Sequence, residues 1–363
     1  MSKLGVISRG IRLPIIEAGE SNLKKIIIDS LIDARCESGQ SFQDKDIICI
    51  TESIVARSEN NYVSVNDIAN DIILKFGRDA EVILLYPIYS RNRFSMILKG
   101  IARAASKIHL FINNGKDEVG NDLINPFTGI DIEKFYKDLI EKEKCQCIIY
   151  KDFNKVFELF AQGYTNVINC MCHVNPKDSE KFKNVNYYRL SNICSTISDV
   201  HGYNVEYGVL GSNKATEETL KLFPRRDTCK ELCEGIKKYF KKFHNIDLEV
   251  MVYGDGCFKD PVGGIWEWAD PVVSPYYTKG LEGTPNEIKI KYIADNESSD
   301  SEFIKEKIKN KDKDLKGNML SQGTTPRRYC DLVGSLADLT SGSGDKGTPV
   351  IWISNYFKNY IDE

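Results

Sequence analysis

Short runs of β-branched and other apolar residues alternate along the chain with stretches in which apolar residues recur at helical spacing. Brief apolar runs bounded by turn residues are typical of strands, and recurrence every three or four residues is typical of helices that cover a sheet. The alternation therefore predicts a mixed α and β architecture, which we assign to the α+β class, with mixed sheets and packed helices.

The pattern places individual elements as follows. The predicted strands are residues 46–51, 81–86, 107–113, 146–150, 166–170, 249–253, 287–293 and 349–353. The predicted helices are residues 21–34, 65–76, 91–105, 132–144, 155–161, 217–222 and 228–243. A charge-rich stretch, residues 297–316, has few apolar residues and is interpreted as a solvated helix rather than a mobile loop.

Charge and cysteine usage exclude several classes of protein. The chain has 49 Lys and Arg against 52 Asp and Glu, a net charge of −3, so no general attraction to nucleic acid or anionic membrane is expected. No apolar stretch reaches the roughly 18 residues of a spanning helix, and the N-terminus shows no secretory signal. The 11 cysteines are an odd number spread through a long chain, which favours free thiols and a cytoplasmic location.

Four loops beside predicted strands carry acids, small hydroxylated residues, glycines and single cations: residues 50–61, 112–121, 250–264 and 340–349. Residues 112–121 read INNGKDEVGN, and carboxylates on a tight turn at a strand end are ligands that Mg²⁺ accepts together with nucleotide phosphates. Asn, Gly and Asp are also what any turn uses, so each loop taken alone fits an ordinary turn at least as well.

Phosphate contact is the second chemistry that these loops suggest. Residues 250–264 and 340–349 combine glycines with a lysine, and glycines let backbone N–H groups approach a phosphate, although the Walker spacing is absent. Arg57 lies among small hydroxylated neighbours that suit phosphate, but an ion pair with Glu59 would look the same. Together, and without a hydrolase nucleophile, the loops indicate metal-assisted phosphoryl or nucleotide chemistry.

The cysteines permit a separate hypothesis. Residues two apart on a strand share a face, so Cys145 with Cys147 and Cys170 with Cys172 could meet as four zinc ligands if their strands were neighbours. The usual zinc spacing is CxxC, and a buried free cysteine is a common small apolar residue, so zinc is the weaker alternative.

The order of the segments resembles the coenzyme F420-0:L-glutamate ligase (γ-glutamyl ligase) family. GIRLPIIEAGESNLKKII at 10–27 is similar to the family's GLPxIxxGDDLxxLI, ITESIVARSEN at 50–60 to TxKIVSKAEGR, and NNGKDEVGN at 113–121 to NAGxDxSN. In the second half, FPRRDTCKELCEGIKKYF at 223–240 is similar to LPxDPDxSAxxIRxxL, YGDGCFKDPVGG at 253–264 to SDTxGRPxRxG, and SLADLTSGSGDKGTPVIWI at 335–353 to ADELAxAAxLxMGxxxGxPVVxVRG. The similar segments cover roughly the first 120 and the last 140 residues.

The resemblance implies a fold and an activity. Residues 1–124 and 212–363 would form the two parts of a ligase core, and residues 125–211 an inserted α/β subdomain. The protein would be a cytoplasmic homodimer that uses GTP or ATP, with Mg²⁺ or Mn²⁺ and K⁺, to join L-glutamate or another amino acid to a small carboxylate acceptor through an acyl phosphate.

The resemblance also implies roles for individual residues. Asp117 and Asp255 would be catalytic and would hold the metal, with Asp345 as a further metal ligand. The nucleotide would be bound by residues from both parts of the core: Leu13, Pro14, Ile15 and Ile16 at the base, then Glu52, Ser53, Arg57, Asn121, Gly342, Ser343, Gly344 and Lys346.

Several positions depart from the family pattern. Gly256 stands where the family has Thr or Ser, and Ser343 stands where an acid or amide is usual. Arg57 replaces a lysine, Asn121 matches only after a shift of one residue, and residues 125–211 have no counterpart. The departures at Gly256 and Ser343 suggest, as an alternative, a non-catalytic nucleotide- or metal-binding module. A phosphotransferase on the same site and a zinc-stabilised interaction protein are further alternatives. The sequence does not choose the acceptor, the nucleotide base, the number of metal ions or the role of the insertion.

Overall fold

The computed structural model describes residues 4–88, 93–112, 122–124, 129–170, 182, 184–194, 209, 213–255, 272–285, 287–311, 327–342 and 344–362. The chain divides into two compact units. The first combines Met1–Val55 with Arg226–Glu363, and the second is Ala56–Arg225. Each unit contains its own five-stranded sheet.

The described helices and strands follow one another in this order: β1 (Ile7–Ile11), α1 (Leu23–Ser38), β2 (Ile47–Thr51), α2 (Glu52–Ser58), β3 (Tyr62–Ser64), α3 (Val65–Phe76), β4 (Ala80–Leu85), α4 (Arg93–Ala104), β5 (Ala105–Phe111), α5 (Ile132–Lys142), β6 (Gln146–Tyr150), α6 (Lys155–Ala161), β7 (Asn166–Asn169), β8 (Asn186–Arg189), β9 (Asn213–Lys214), β10 (Thr219–Lys221), α7 (Arg226–His244), β11 (Glu249–Asp255), β12 (Val272–Tyr277), α8 (Ile290–Asn296), α9 (Ser301–Lys309), α10 (Tyr329–Ser341) and β13 (Val350–Ser354).

The first unit is a mixed sheet, in the order β1-β13-β2-β11-β12, that is covered by helices on both faces. Along β2, Ile48 and Ile50 pack in one core cluster with residues of α1 and α7. Ile47 and Cys49 point the other way, into a cluster with residues of α10. Because both faces of this strand are covered, its sequence is a continuous apolar run rather than an alternation with polar residues.

The second unit contains five parallel strands in the order β6-β5-β4-β7-β8. One face packs against α3, α4 and α5, through residues such as Ile68, Ile97 and Ile140. The other face packs against α6, through Val156 and Leu159. Strands β5 and β6 follow β4 toward one edge of the sheet, and β7 and β8 lie on the other side of β4, as in doubly wound sheets. A small antiparallel sheet, β3-β10-β9, completes the unit.

The mixed α and β architecture predicted from the sequence is confirmed, and so are most of its elements. Two of them are wrong. Residues 219–221 form β10, not a helix, because they pair with both β3 and β9 and bury Leu220 completely. Residues 290–296 form helix α8, not a strand, and Ile293 packs against Ile304 and Ile308 of α9. In both places tertiary contacts outweigh the local pattern.

The charge-rich stretch is helical over Ser301–Lys309, as predicted, while residues 312–326 lie outside the described part of the chain. The compact units divide the chain at residues 55 and 225, whereas the predicted boundaries lie at 124 and 211. Strands β4 and β5, which the prediction placed in the ligase core, pair with β7 and β6 in the second unit. The insertion at 125–211 stays a prediction.

Among the helices that the structure describes, none combines the length and apolar character required to cross a membrane.

Candidate functional site

Three of the four loops that the sequence singled out, residues 50–61, 250–264 and 340–349, begin or finish at one end of the first sheet. Strands β1, β2 and β11 finish there, and β12 and β13 begin there, because β13 runs antiparallel to β1 and β2 while β11 runs parallel to β2. In register, Val350 lies between Ile11 and Ile50, and Thr51 lies beside Tyr253. We call this the loop end of the first sheet.

The segment Leu13 to Ile16 leaves β1 at the loop end. The backbone N–H of Leu13 donates a hydrogen bond to the carbonyl oxygen of Gly347 (3.3 Å), so this segment touches the glycine-rich loop before β13. Ile16 is buried in the core of the unit, whereas the side chain of Ile15 is 86% exposed. Pro14 is also exposed. The segment therefore offers a solvent-facing apolar surface next to the loop, and its predicted role is to hold a nucleotide base.

The glycine-rich loop follows α10 directly. Gly342 adopts φ 64° and ψ −151°, a conformation essentially restricted to glycine. A Cβ atom at Gly342 would lie 3.1 Å from both Cδ and Cε of Lys346, so the lysine stem folds back across the glycine. Gly344, Asp345 and Lys346 are exposed. Ser343 lies outside the described residues. The loop thus presents an exposed cation and exposed backbone at the loop end.

Glu52 begins α2 immediately after β2 and lies at the centre of the loop end. Its side chain is buried, with 3% of its surface exposed. Ser53 is half-buried, and Arg57, one turn further along α2, is exposed and belongs to the second unit. Glu52 and Ser53 therefore lie at the loop end, as do Leu13 and the glycine-rich loop. Arg57 belongs to the second unit.

Tyr253 is a residue at this end that the sequence reasoning did not identify. It is 1% exposed, and its hydroxyl makes no hydrogen bond of standard geometry among the described residues, although the hydroxyl of Ser341 lies close to it. Burial raises the pKa of Tyr253, and the nearby carboxylates of Asp338 and Glu52 raise it further, so the phenol stays protonated. A tyrosine within an apolar strand usually signals packing, so no sequence pattern marked it. Only its position beside Thr51 places a polar hydroxyl at the loop end.

The predicted metal ligands are placed only in part. Asp117 and Asn121 lie outside the described residues, in the segment that follows the carboxyl end of β5 in the second unit. Asp255 is the last residue of β11 and pairs with Val272, so its backbone is at the loop end, while its side chain is not described. Across the described ranges, no three His, Cys, Asp or Glu side chains group as a metal site.

The zinc hypothesis does not fit the second sheet. Cys145 precedes β6 and Cys170 follows β7, and strands β5 and β4 lie between them. Three strand spacings amount to about 14 Å, whereas two sulfurs on one zinc ion are less than about 5 Å apart. Cys145, Cys147 and Cys170 are free thiols. Burial raises the pKa of Cys147 to about 11, which favours the neutral thiol over a metal-binding thiolate. Cys172 lies outside the described residues.

Comparison with known proteins bears on the whole chain rather than on single residues. The family model described as F420-0:Gamma-glutamyl ligase matches residues 10–355, which is nearly the full length. Among curated proteins, no match to the chain is found. The matched range includes all of the second unit, most of the first, and every segment at the loop end.

Proposed function

Because the chain belongs to the F420-0:gamma-glutamyl ligase family, we propose that it is a nucleotide-dependent amide ligase that joins L-glutamate or another amino acid to a small carboxylate acceptor. GTP is the first candidate for the nucleotide and ATP the second. The proposal includes an acyl phosphate intermediate, a homodimer and a cytoplasmic location, none of which the family match specifies.

The observation that carries the proposal is the convergence at the loop end of the first sheet. Segments far apart in sequence, around residues 13, 52, 255 and 345, meet there because three strands finish and two begin side by side. Neighbouring strands lie about 4.8 Å apart, so β1 and β11 are separated by about 14 Å, a span suited to a nucleotide with its phosphates. A structural turn at each position would not require them to converge.

Each element at the loop end has a role in this proposal. The exposed apolar surface of Ile15 would contact the base, and the glycine-rich loop would bind phosphate oxygens through backbone N–H groups and the charge of Lys346. Glu52 and Ser53 would lie along the nucleotide. Arg57 and Asn121 belong to the second unit, and their roles as nucleotide contacts are proposed from the family resemblance alone. Because Gly342 has no Cβ, the stem of Lys346 can lie against it.

The reaction would proceed in two transfers. The acceptor carboxylate would attack the γ-phosphorus, which breaks the bond to the β-phosphate oxygen and gives an acyl phosphate and the nucleoside diphosphate. The amine of the amino acid would then attack the acyl carbon and displace inorganic phosphate, which leaves the amide. The protein's part is to align the reactants and to stabilise the negative charge on the transferring group.

A divalent metal would supply additional charge stabilisation when bound. By resemblance to the family, Asp117 and Asp255 would hold it, with Asp345 as a further ligand and K⁺ as an accessory ion. Among the described side chains, no three such groups lie together.

A second candidate function is a nucleotide-binding module without turnover. It is favoured by Gly256 and Ser343, which replace residue types that could hold metal in the family pattern. A binding module would bind nucleotide but release no phosphate in response to amino acids. A phosphotransferase would release or transfer phosphate without an amine.

Thermal unfolding with GTP or ATP, each with and without Mn²⁺, tests the nucleotide site. Ligand at about 100 times its Kd should stabilise the folded chain by about 2.7 kcal/mol. We expect a metal-dependent rise in melting temperature with one nucleotide, lost in Asp117→Asn. The matched control is Asp29→Asn, an exposed residue of α1 whose ion pair is with Lys25 (2.8 Å), and it should respond as the wild type does.

Phosphate release then separates the candidates. A ligase releases phosphate only when nucleotide, a carboxylate acceptor and an amino acid are all present. No stabilisation by either nucleotide would contradict the site itself, and stabilisation without release across a panel of carboxylates would favour the binding module.

A further inference from the structure

The topology of the second sheet singles out the carboxyl ends of β4 and β7. Numbered along the chain, the parallel strands β4 to β8 lie in the spatial order three-two-one-four-five. The crossovers through α4 and α5 pack on one face of the sheet, and the crossover through α6 packs on the other. In sheets of this order, ligands bind outside the carboxyl ends of the strands, at the point where the order reverses. In this sheet that point lies between β4 and β7.

Tyr86 follows β4 at this point in a conformation that tyrosine rarely adopts. Its φ is 53°, in the left-handed region that favours glycine. Nucleotide-binding sheets of this order have glycines in the same turn, but no glycine lies between residues 78 and 99 of this chain. The ring of Tyr86 stacks on that of Phe153, with centroids 5.3 Å apart and planes at 20°, and both rings are half-buried. The turn thus keeps an aromatic surface where glycine would relieve strain.

Two hydroxyls and a cation accompany the stacked rings. Asn169, the last residue of β7, is 1% exposed and donates a hydrogen bond from Nδ2 to the hydroxyl oxygen of Tyr187 on β8 (2.6 Å). The Tyr187 hydroxyl keeps its own proton, and among the residues that the structure describes neither it nor the Tyr86 hydroxyl donates a hydrogen bond. Burial raises the pKa of Tyr86, and Tyr187 raises it further, so the Tyr86 hydroxyl stays a donor. Arg189 is half-buried and pairs with Asn169 in register, so its side chain leaves the same face.

We infer that the carboxyl ends of β4, β7 and β8 form a second ligand site, which binds a mononucleotide. Its base would stack on Tyr86 and Phe153, and its phosphate would pair with Arg189. The Tyr187 hydroxyl would donate a hydrogen bond between them. Strands β4 and β8 are two strand spacings apart, about 10 Å, a span suited to a base with its ribose and phosphate. A dinucleotide does not fit, because its pyrophosphate requires the glycine-rich turn that this chain lacks. The site belongs to the second unit, so the inference stands independently of the proposed function.

Fluorescence titration of the full-length protein with etheno-AMP tests the stacking contact, because stacking on an aromatic side chain quenches the etheno-adenine ring. Tyr86→Asn removes the aromatic ring, and asparagine tolerates the left-handed conformation, so the backbone is kept. The variant should raise the dissociation constant of etheno-AMP at least about tenfold. The matched control is Tyr164→Asn, a half-buried tyrosine that precedes β7 at the opposite end of the sheet. This control should bind etheno-AMP as the wild type does.

A second probe that lacks the phosphate, etheno-adenosine, tests the role of Arg189. Arg189→Gln removes a charge-assisted hydrogen bond to the phosphate and should raise the dissociation constant of etheno-AMP about tenfold. The same variant should leave the dissociation constant of etheno-adenosine unchanged. Arg78→Gln, at an exposed arginine just before β4 and so at the opposite end of the sheet, is the matched control and should change neither value. A purely structural role of Arg189 would weaken both probes equally.

Three outcomes would overturn the inference. The first is a wild-type chain that does not quench etheno-AMP at millimolar concentrations. The second is binding that Tyr86→Asn and Arg189→Gln leave unchanged, which would place the nucleotide elsewhere, for instance at the loop end of the first sheet. The third is equal weakening by Tyr164→Asn, since the substitutions would then act through the stability of the second unit rather than through contact with the nucleotide.

Discussion

Replacing Tyr253 by phenylalanine should stabilise the protein. The side chain is 1% exposed, and its hydroxyl makes no hydrogen bond of standard geometry among the described residues, since the nearby hydroxyl of Ser341 donates instead to the carbonyl oxygen of Asp338 (2.7 Å). A buried polar group without a partner costs about 1–3 kcal/mol, because it gives up its hydrogen bonds to water and gains none. Phenylalanine keeps the ring and its packing and removes only the oxygen. We therefore expect the free energy of unfolding of the ligand-free protein to rise by about 1–2 kcal/mol.

Urea unfolding followed by tryptophan fluorescence measures this change in the correct unit. All 3 tryptophans lie in the segment Arg226–Glu363, which belongs to the first unit together with Tyr253. Burial and the neighbouring carboxylates raise the pKa of Tyr253, so the hydroxyl stays protonated and the gain should be equal at pH 7 and pH 9. An unchanged slope of the transition with a higher midpoint would show that the variant alters stability alone.

The matched control is Tyr276→Phe on the neighbouring strand β12. The hydroxyl of Tyr276 donates a hydrogen bond to Oε1 of Glu234 on α7 (2.9 Å), so its removal should lower stability by about 1 kcal/mol. Opposite signs for two Tyr→Phe changes in one unit cannot arise from a general effect of the substitution. The reasoning is refuted if Tyr253→Phe unfolds at lower urea than the wild type.

Three further perturbations have defined outcomes. Burial raises the pKa of Asp46 despite the hydrogen bond that its carboxylate accepts from Trp352 (2.8 Å), so folding favours the protonated form. The difference in free energy of unfolding between the wild type and Asp46→Asn should therefore shift in favour of the wild type from pH 7 to pH 4. Equal differences in urea midpoint at the two pH values would contradict this. Gly342→Ala forces a side chain into a glycine-only conformation and should cost about 1–3 kcal/mol in chemical unfolding, whereas a neutral result would mean that the loop relaxes. Arg103 donates hydrogen bonds from two of its nitrogens to the carboxylate of Glu143 (2.9 and 3.2 Å). Arg103→Lys cannot make both bonds and should lower the melting temperature. As a control, Lys25→Arg, in an exposed ion pair with Asp29, should leave the melting temperature unchanged.

The sequence by itself determined the elements whose pattern is local. Continuous apolar runs marked β2 and β11, since a strand covered on both faces needs apolar residues at every position. Apolar residues at helical spacing marked α3, α5 and α7, since a helix that packs on a sheet needs an apolar stripe along one side. The order of six short segments also pointed to the family, because turn residues and acids at strand ends are readable without knowing which strands are neighbours.

Tertiary structure alone decided which of these pieces meet. No local pattern states that β13 inserts between β1 and β2, yet that pairing brings Leu13 beside Gly347 and puts Glu52 near the same end. Residues 219–221 became a strand only because two other strands pair with them. Strand pairing and burial depend on contacts between residues distant in sequence, so they override the weaker local preferences. For the same reason the buried hydroxyl of Tyr253 emerged only once the neighbours of its strand were known.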